Sequence, residues 1–181
     1  MKHLFLLRHA KSGYSDDIPR DFDRPLNARG ERAAETIGRY CRRERLAFDV
    51  AIASDAVRCV QTVARVEAGL GASLGVQWQR GLYLASAATL LEAVQALPEA
   101  ASHALLVGHN PGLEDLIFDL VPEGDPLRDQ VYEKFPTAAL AELVVEGGWS
   151  DFGAAAAPGA VRLTRFMRPR DLDPSLGPDG D

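Results

Sequence analysis

Cysteine is scarce in this chain: two residues in 181. Cys41 and Cys59 stand apart in sequence, which argues against a disulfide framework. It suggests a reducing, cytoplasmic setting in which thiols serve as small apolar groups. Long apolar runs are also missing, and none approaches the ~18 residues needed to cross a bilayer. The N-terminus carries one lysine before a strand-length apolar run, so it does not read as a secretory leader. An excess of cations is absent as well. Lys and Arg number 20 against 26 Asp and Glu, a formal charge of −6. That balance argues against a general nucleic-acid binder but leaves room for a local cationic pocket. No internal repeat of functional weight is visible.

What is present is a recurring design. Three segments, LFLLRH (Leu4 to His9), VAIASD (Val50 to Asp55) and ALLVGH (Ala104 to His109), are short continuous apolar runs that end in polar residues. Such runs suit strands covered on both faces. Helical patterns separate them. Asn27 is placed to cap a helix with Ala33, Ile37, Tyr40 and Cys41 on one stripe, and Ser54 to cap another carrying Cys59, Val63, Val66 and Leu70. A third helix is expected over Ala87 to Leu97 and a fourth after Pro111. Ala139–Gly147 and Val161–Met167 read as later strands, the second an edge strand, joined by the flexible GAAAAPG (Gly153 to Gly159). Strand alternating with helix predicts an α/β three-layer sandwich, its central, mostly parallel sheet covered by helices on both faces. One domain should span residues 1–168. The Pro/Gly/Asp-rich tail 169–181 has too little apolar content to pack and is expected to fray towards its end.

In such sheets ligands bind beyond the carboxyl ends of the strands. Histidine is informative because there are only four: His3, His9, His103 and His109. Each pair spans one strand of roughly 20 Å, so His3 and His103 belong at the opposite edge from His9 and His109. That excludes a four-histidine metal site, and no metal or cofactor is expected. His9 and His109 arrive at the ligand edge with helpers. Arg8 precedes His9, Arg58 emerges from the first turn of its helix, and Asn110-Pro111-Gly112 follows His109 as a turn into a helix. Two guanidiniums, two imidazoles and a helix start make a compact cationic pocket whose natural occupant is a phosphoryl group. Lys11, Ser12 and Arg24 are weaker candidates for substrate contact, as is Asn110. Arg24 is equally suited to an ion pair with Asp21 or Asp23, and Thr137 to a plain turn.

At this point the chain resembles the histidine phosphatase superfamily, the phosphoglycerate-mutase-like enzymes, and within it the short SixA-type phosphohistidine phosphatases. The matching pieces are LLRHAKS, DRPLNARGERAA (Asp23 to Ala34), SDAVRCVQT (Ser54 to Thr62) and LLVGHNPGLEDL (Leu105 to Leu116), with FPTAAL and RFMRPRDL later. They run in order through nearly the whole chain. The resemblance implies that His9 is a nucleophile phosphorylated during turnover, that Arg8 and Arg58 clamp the phosphoryl oxygens, and that His109 completes the site. It also implies a phosphorylated protein as partner, in signal transduction. Neither nucleic acid nor membrane is expected as a partner.

One departure bears on substrate. Bulkier relatives carry a carboxylic acid after the second arginine helix, whereas WQRGLYLASAATLLEAV has none until Glu92, placed mid-helix. A phosphoimidazole leaves without such an acid because its distal nitrogen can carry a proton. Asp16, Asp17 or Asp21 would be fallback acids. The alternatives are a small-metabolite phosphomonoesterase or mutase using the same pocket, and a non-catalytic phosphate-recognition module. Cys59 and Arg65 also match the C-x5-R spacing of cysteine-dependent phosphatases. The intervening residues continue a helical pattern whose N–H groups are already bonded, so that reading is rejected.

Overall fold

The computed structural model describes residues 1–153 and 159–178. Six strands form one sheet: β1 (Lys2–Arg8), β2 (Val50–Ala53), β3 (Gln77–Trp78), β4 (His103–Gly108), β5 (Leu140–Val145) and β6 (Val161–Met167). Their order is β3-β2-β4-β1-β5-β6. The β1–β4, β2–β4 and β2–β3 pairs are parallel, and β5 and β6 close one side antiparallel. This is the expected α/β three-layer architecture, with β6 at an edge. The two-residue β3 at the other edge is too short and too exposed to leave a periodic signal.

Alternation along the central strands divides the core in two. Leu4, Leu6, Ala104 and Leu106 face one layer, made by α3 (Ala87–Gln95), α4 (Gly112–Leu120) and α5 (Pro126–Glu133). Phe5, Leu7, Leu105 and Val107 face the other, made by α1 (Ala28–Arg43) and α2 (Val57–Leu70). A strand buried on both faces reads as a continuous apolar run, and this is why β1 and β4 lack polar alternation. Asn27 caps α1 as expected, its side chain accepting from Gly30 N–H at 2.8 Å. Ser54 does not cap α2. That helix starts three residues later with Ala56 at the cap and no side-chain bond there. The Ser54 hydroxyl is instead spent on His109, described below. Helix α5 was not anticipated, although Asp125 caps it through Leu127 and Arg128 N–H and Pro126 opens it.

Helices α1 and α2 touch backbone to backbone. A Cβ on Gly38 would lie 2.2 Å from the Val66 carbonyl oxygen, and one on Gly69 2.2 Å from that of Glu35. Neither contact can relax by a rotamer change. We expect Gly38→Ala to lower stability by about 2 kcal/mol, outweighing the helix propensity gained, ~1 kcal/mol. A urea midpoint unchanged or raised would contradict this.

Residues 169–178, expected to be too poor in apolar side chains to pack, are docked on the domain. Residues Pro169–Leu172 form a short helix, α6, and Pro174–Leu176 a 3-10 turn. Leu176 is buried in the α1/α2 layer. Arg29 Nη2 donates to the carbonyls of Leu176 and Pro178. One apolar side chain and a guanidinium satisfying backbone carbonyls suffice to dock a segment that composition alone marks as loose. Residues 179–181 and most of the expected 153–159 linker lie outside the described residues.

Among the described residues no helix is long and apolar enough to cross a membrane. At the amino edge, His3 and His103 stand in register and their rings stack at 4.6 Å. His3 Nδ1 lies 2.8 Å from Glu142 and His103 Nδ1 3.6 Å from Asp49, so each ring has a carboxylate partner of its own.

Candidate active site

The site is built by strand register. Because Arg8 pairs with Gly108, the residues that follow them, His9 and His109, are neighbours, with ring centroids 5.2 Å apart. Helix α2 starts beside these tips, and its first turn delivers Arg58, whose side chain is almost wholly buried. Thr62, one turn on, accepts from Ala10 N–H at 2.9 Å and donates to the Arg58 carbonyl at 2.6 Å, pinning the β1 tip to the helix.

A cavity of about 270 Å³ opens here, lined by Arg8, His9, Lys11, Ser12, Arg24, Arg58, His109 and Asn110, together with Tyr14, Asp21, Leu84 and Thr137. All eight residues chosen from the sequence therefore meet at one cavity. Arg8 Nη1 donates to the Phe135 carbonyl at 2.9 Å. Arg24 takes both roles foreseen for it: Nε pairs with Asp21 Oδ1 at 2.9 Å while Nη1 donates to Ser12 Oγ at 2.7 Å. Asn110 Nδ2 donates to Glu114 and to the Phe135 carbonyl. Thr137 lines the cavity as well as forming a turn. Buried Arg58 Nε has no hydrogen-bond partner. An unmatched guanidinium N–H is costly in a protein interior, so the cavity favours an anion.

The tautomer of His9 follows from its partner. Nδ1 lies 2.8 Å from the Ala10 carbonyl oxygen, which can only accept, so Nδ1 carries the proton and Nε2 keeps the lone pair. Burial drives the pKa of this ring well below the ordinary value of 6.5. The Ala10 carbonyl opposes that shift, and His109, Arg58 and Arg8 reinforce it. His9 is thus a neutral imidazole with a free Nε2, the form in which the ring attacks an electrophile.

Asp21 behaves differently from the fallback acid the sequence allowed. Its Oδ2 accepts from Arg58 Nη2 at 3.0 Å and from Tyr83 O–H at 2.6 Å, and its carbonyl accepts from Arg58 Nη1 at 2.8 Å. Partial burial pushes its pKa up. The hydrogen bonds from Tyr83 and Arg24 and the charge of Arg58 outweigh that and bring it to about 2. A carboxyl held ionised cannot donate a proton near neutrality. Asp16 and Asp17 are exposed and do not line the cavity. Glu92 sits within α3, as expected.

Sequence reasoning missed Tyr83, which reaches Asp21 across 62 positions and sets its ring edge-on to His109 at 5.4 Å. Tyr14, stacked over Arg24 at 4.2 Å, and Leu84 at the mouth were missed too. No local pattern distinguishes them from ordinary loop residues. Cys59 lies fully buried within α2, its thiol pushed up to about 12 by burial against the hydrogen bond of Ser54 and the charge of Arg58. Arg65 pairs with Glu31 at 3.0 Å, so the two form no phosphate loop. Among the described residues, no group of three or more His, Cys, Asp or Glu side chains is arranged to hold a metal ion.

The family model of the histidine phosphatase superfamily (branch 1) matches residues 4–82. An uncharacterized protein of Mycobacterium tuberculosis is 34% identical over 167 residues, covering 91% of this chain and all of its own length. Two solved structures are similar in fold and sequence. A SixA protein of Nakamurella multipartitia, itself a candidate phosphohistidine phosphatase, is 32% identical with a TM-score of 0.77, covering 93% of this chain and 96% of its own. The corresponding candidate SixA of Agrobacterium tumefaciens is 31% identical with a TM-score of 0.76, covering 93% and 98%.

Proposed function

This chain belongs to the histidine phosphatase superfamily, and from that footing we propose that it is a phosphohistidine phosphatase working through a covalent intermediate on His9. Family and architecture together make it a hydrolase with the SixA-type fold. The phosphohistidine substrate and the covalent step rest on the site.

In the proposed cycle His9 Nε2 attacks phosphorus and the bond to the leaving group breaks. Arg8 and Arg58 hold the charge that spreads over the equatorial oxygens. Water then attacks the phosphohistidine, forming a P–O bond as the P–Nε2 bond breaks and releasing orthophosphate. One observation carries the choice of substrate: the carboxylate lining the cavity, Asp21, is held ionised by Arg58, Arg24 and Tyr83. An alkoxide would leave without a carboxylic acid to protonate it. A phosphoimidazole with a protonated distal nitrogen leaves as neutral imidazole and needs none. The open cavity mouth, bordered by exposed Tyr14 and Leu84, also suits a phosphoryl group presented on a protein surface. Buried, unpaired Cys41 and Cys59 are in keeping with the cytoplasmic setting expected from the sequence.

The test compares kcat/KM on a phosphohistidine peptide with that on a simple alkyl phosphate. We expect the peptide to be preferred by about 10²-fold or more, the scale of one general-acid contribution. Preference for the ester would instead favour a small-metabolite phosphomonoesterase or mutase, and phosphate binding without turnover would favour a recognition module. The pH dependence offers a further check. Because the pKa of His9 is lowered, its neutral form persists as pH falls through 6.5. On a substrate of constant charge, kcat/KM should therefore show no loss between about pH 7 and 6. A fall there with an ordinary imidazole titration would contradict the assignment.

A further inference from the structure

The two nitrogens of His109 have different partners. Nδ1 lies 3.2 Å from Arg58 Nη2, and Nε2 lies 2.8 Å from Ser54 Oγ. A guanidinium can only donate, so Nδ1 must accept; the ring is then neutral, with its proton on Nε2, given to Ser54. Ser54 is fully buried, and its hydroxyl oxygen also receives Ala56 N–H at 3.3 Å. Arg58 at Nδ1 and the Ser54 hydroxyl at Nε2 thus together select the Nε2–H form of His109.

This has a consequence for anion binding. A phosphoryl oxygen approaching His109 from the Arg58 side meets a lone pair, which repels it. We infer that Ser54 is a positioning residue that, with Arg58, keeps Nδ1 of His109 unprotonated, and that the arrival of a tetrahedral dianion is coupled to uptake of one proton from solvent at that atom. Arg58 Nη2 then turns its hydrogen bond from Nδ1 to the anion, and the new Nδ1–H becomes a second donor to it. The Nε2–H bond to Ser54 is kept throughout. This deepens the proposed function, since it rests on the phosphoryl group occupying this cavity.

The surroundings fit such a coupling. Arg58 and Cys59 from α2, Arg8 and His9 from the tip of β1, Asp21 and Arg24 from the following loop, and Tyr83 face the ring or lie beside it, while Glu114 of α4 is engaged by Asn110. Burial and the charge of Arg58 push the pKa of His109 down to about 3 in the unliganded site, against the pull of Asp21. A dianion adds two negative charges beside the same ring and moves its pKa in the opposite direction.

Sulfate is the suitable probe because its own charge is constant between pH 6 and 8. Nitrogen-15 NMR of the four histidines reads tautomer and charge directly, with His109 assigned by its loss in His109→Asn. Without sulfate, His109 should show a protonated Nε2 and an unprotonated Nδ1; with saturating sulfate, both should be protonated. Sulfate affinity should rise by up to tenfold per unit fall in pH. Ser54→Ala should weaken the tautomer preference and reduce that dependence, and Ser54→Thr should restore both. Unchanged His3 and His103 signals check that the variants are folded. Sulfate bound with His109 still neutral, or a Ser54→Ala spectrum like that of the parent, would overturn this inference alone. No sulfate binding would overturn the anion site itself, and the inference with it.

Discussion

Turnover should fall by about 10⁴ or more when His9 is replaced by alanine, the scale on which enzymes lose rate when a nucleophile is removed. The ring is held for attack by its Nδ1–H bond to the Ala10 carbonyl. Neither of the neighbouring titratable groups Asp21 and His109 can take its place. Asp21 is spent on Arg58, Arg24 and Tyr83, and His109 Nδ1 faces Arg58. Because His9 borders a cavity, alanine leaves no sealed void, and the thermal midpoint should stay within a few degrees. Acid-labile phosphate should become trapped on the parent chain after a rapid quench and be absent from the variant. A folded His9→Ala protein that keeps a tenth of the parental kcat would remove the covalent step from the proposal.

The second large effect is expected at Arg58. Its guanidinium is almost wholly buried and touches Asp21, His109 and the cavity at once. Removing it takes away a preorganised cation from the place where transition-state charge develops, which typically costs 10²–10³ in kcat, about 3 to 4 kcal/mol. Arg58→Lys should recover little of this, because one ammonium cannot serve Asp21 and a phosphoryl oxygen with the fork geometry of a guanidinium. Asp21 is half-exposed and can be rehydrated, so the fold should survive either change. Inhibition by orthophosphate should weaken in parallel. A lysine variant with near-parental kcat and phosphate inhibition would show that only net charge matters at this position.

How far the sequence reaches differs from element to element. Strands β1, β2 and β4 were legible because burial on both faces leaves an unbroken apolar run. Helix α1 was legible through its stripe and the Asn27 cap. The meeting of His9 with His109 was legible too, since parallel pairing fixes which residues share a strand end. The start of α2 was misplaced by two residues because a serine before a helix looks like a cap, whatever its hydroxyl does in the fold. The docked tail was missed because Leu176 and the Arg29 contacts carry no periodic signal. Tyr83 was missed because its partner is remote in sequence.

The amino-acid sequence therefore determined the layered α/β architecture and the convergence of Arg8, His9, Arg58 and His109, because periodicity and parallel topology are expressed in short segments. Only the tertiary structure decided the state of each group there: Asp21 as a fixed carboxylate, Ser54 as the acceptor for His109, the Nδ1–H form of His9. Proton positions depend on which donor faces which acceptor over a few ångströms, and those pairings arise only when segments distant in the chain are packed together.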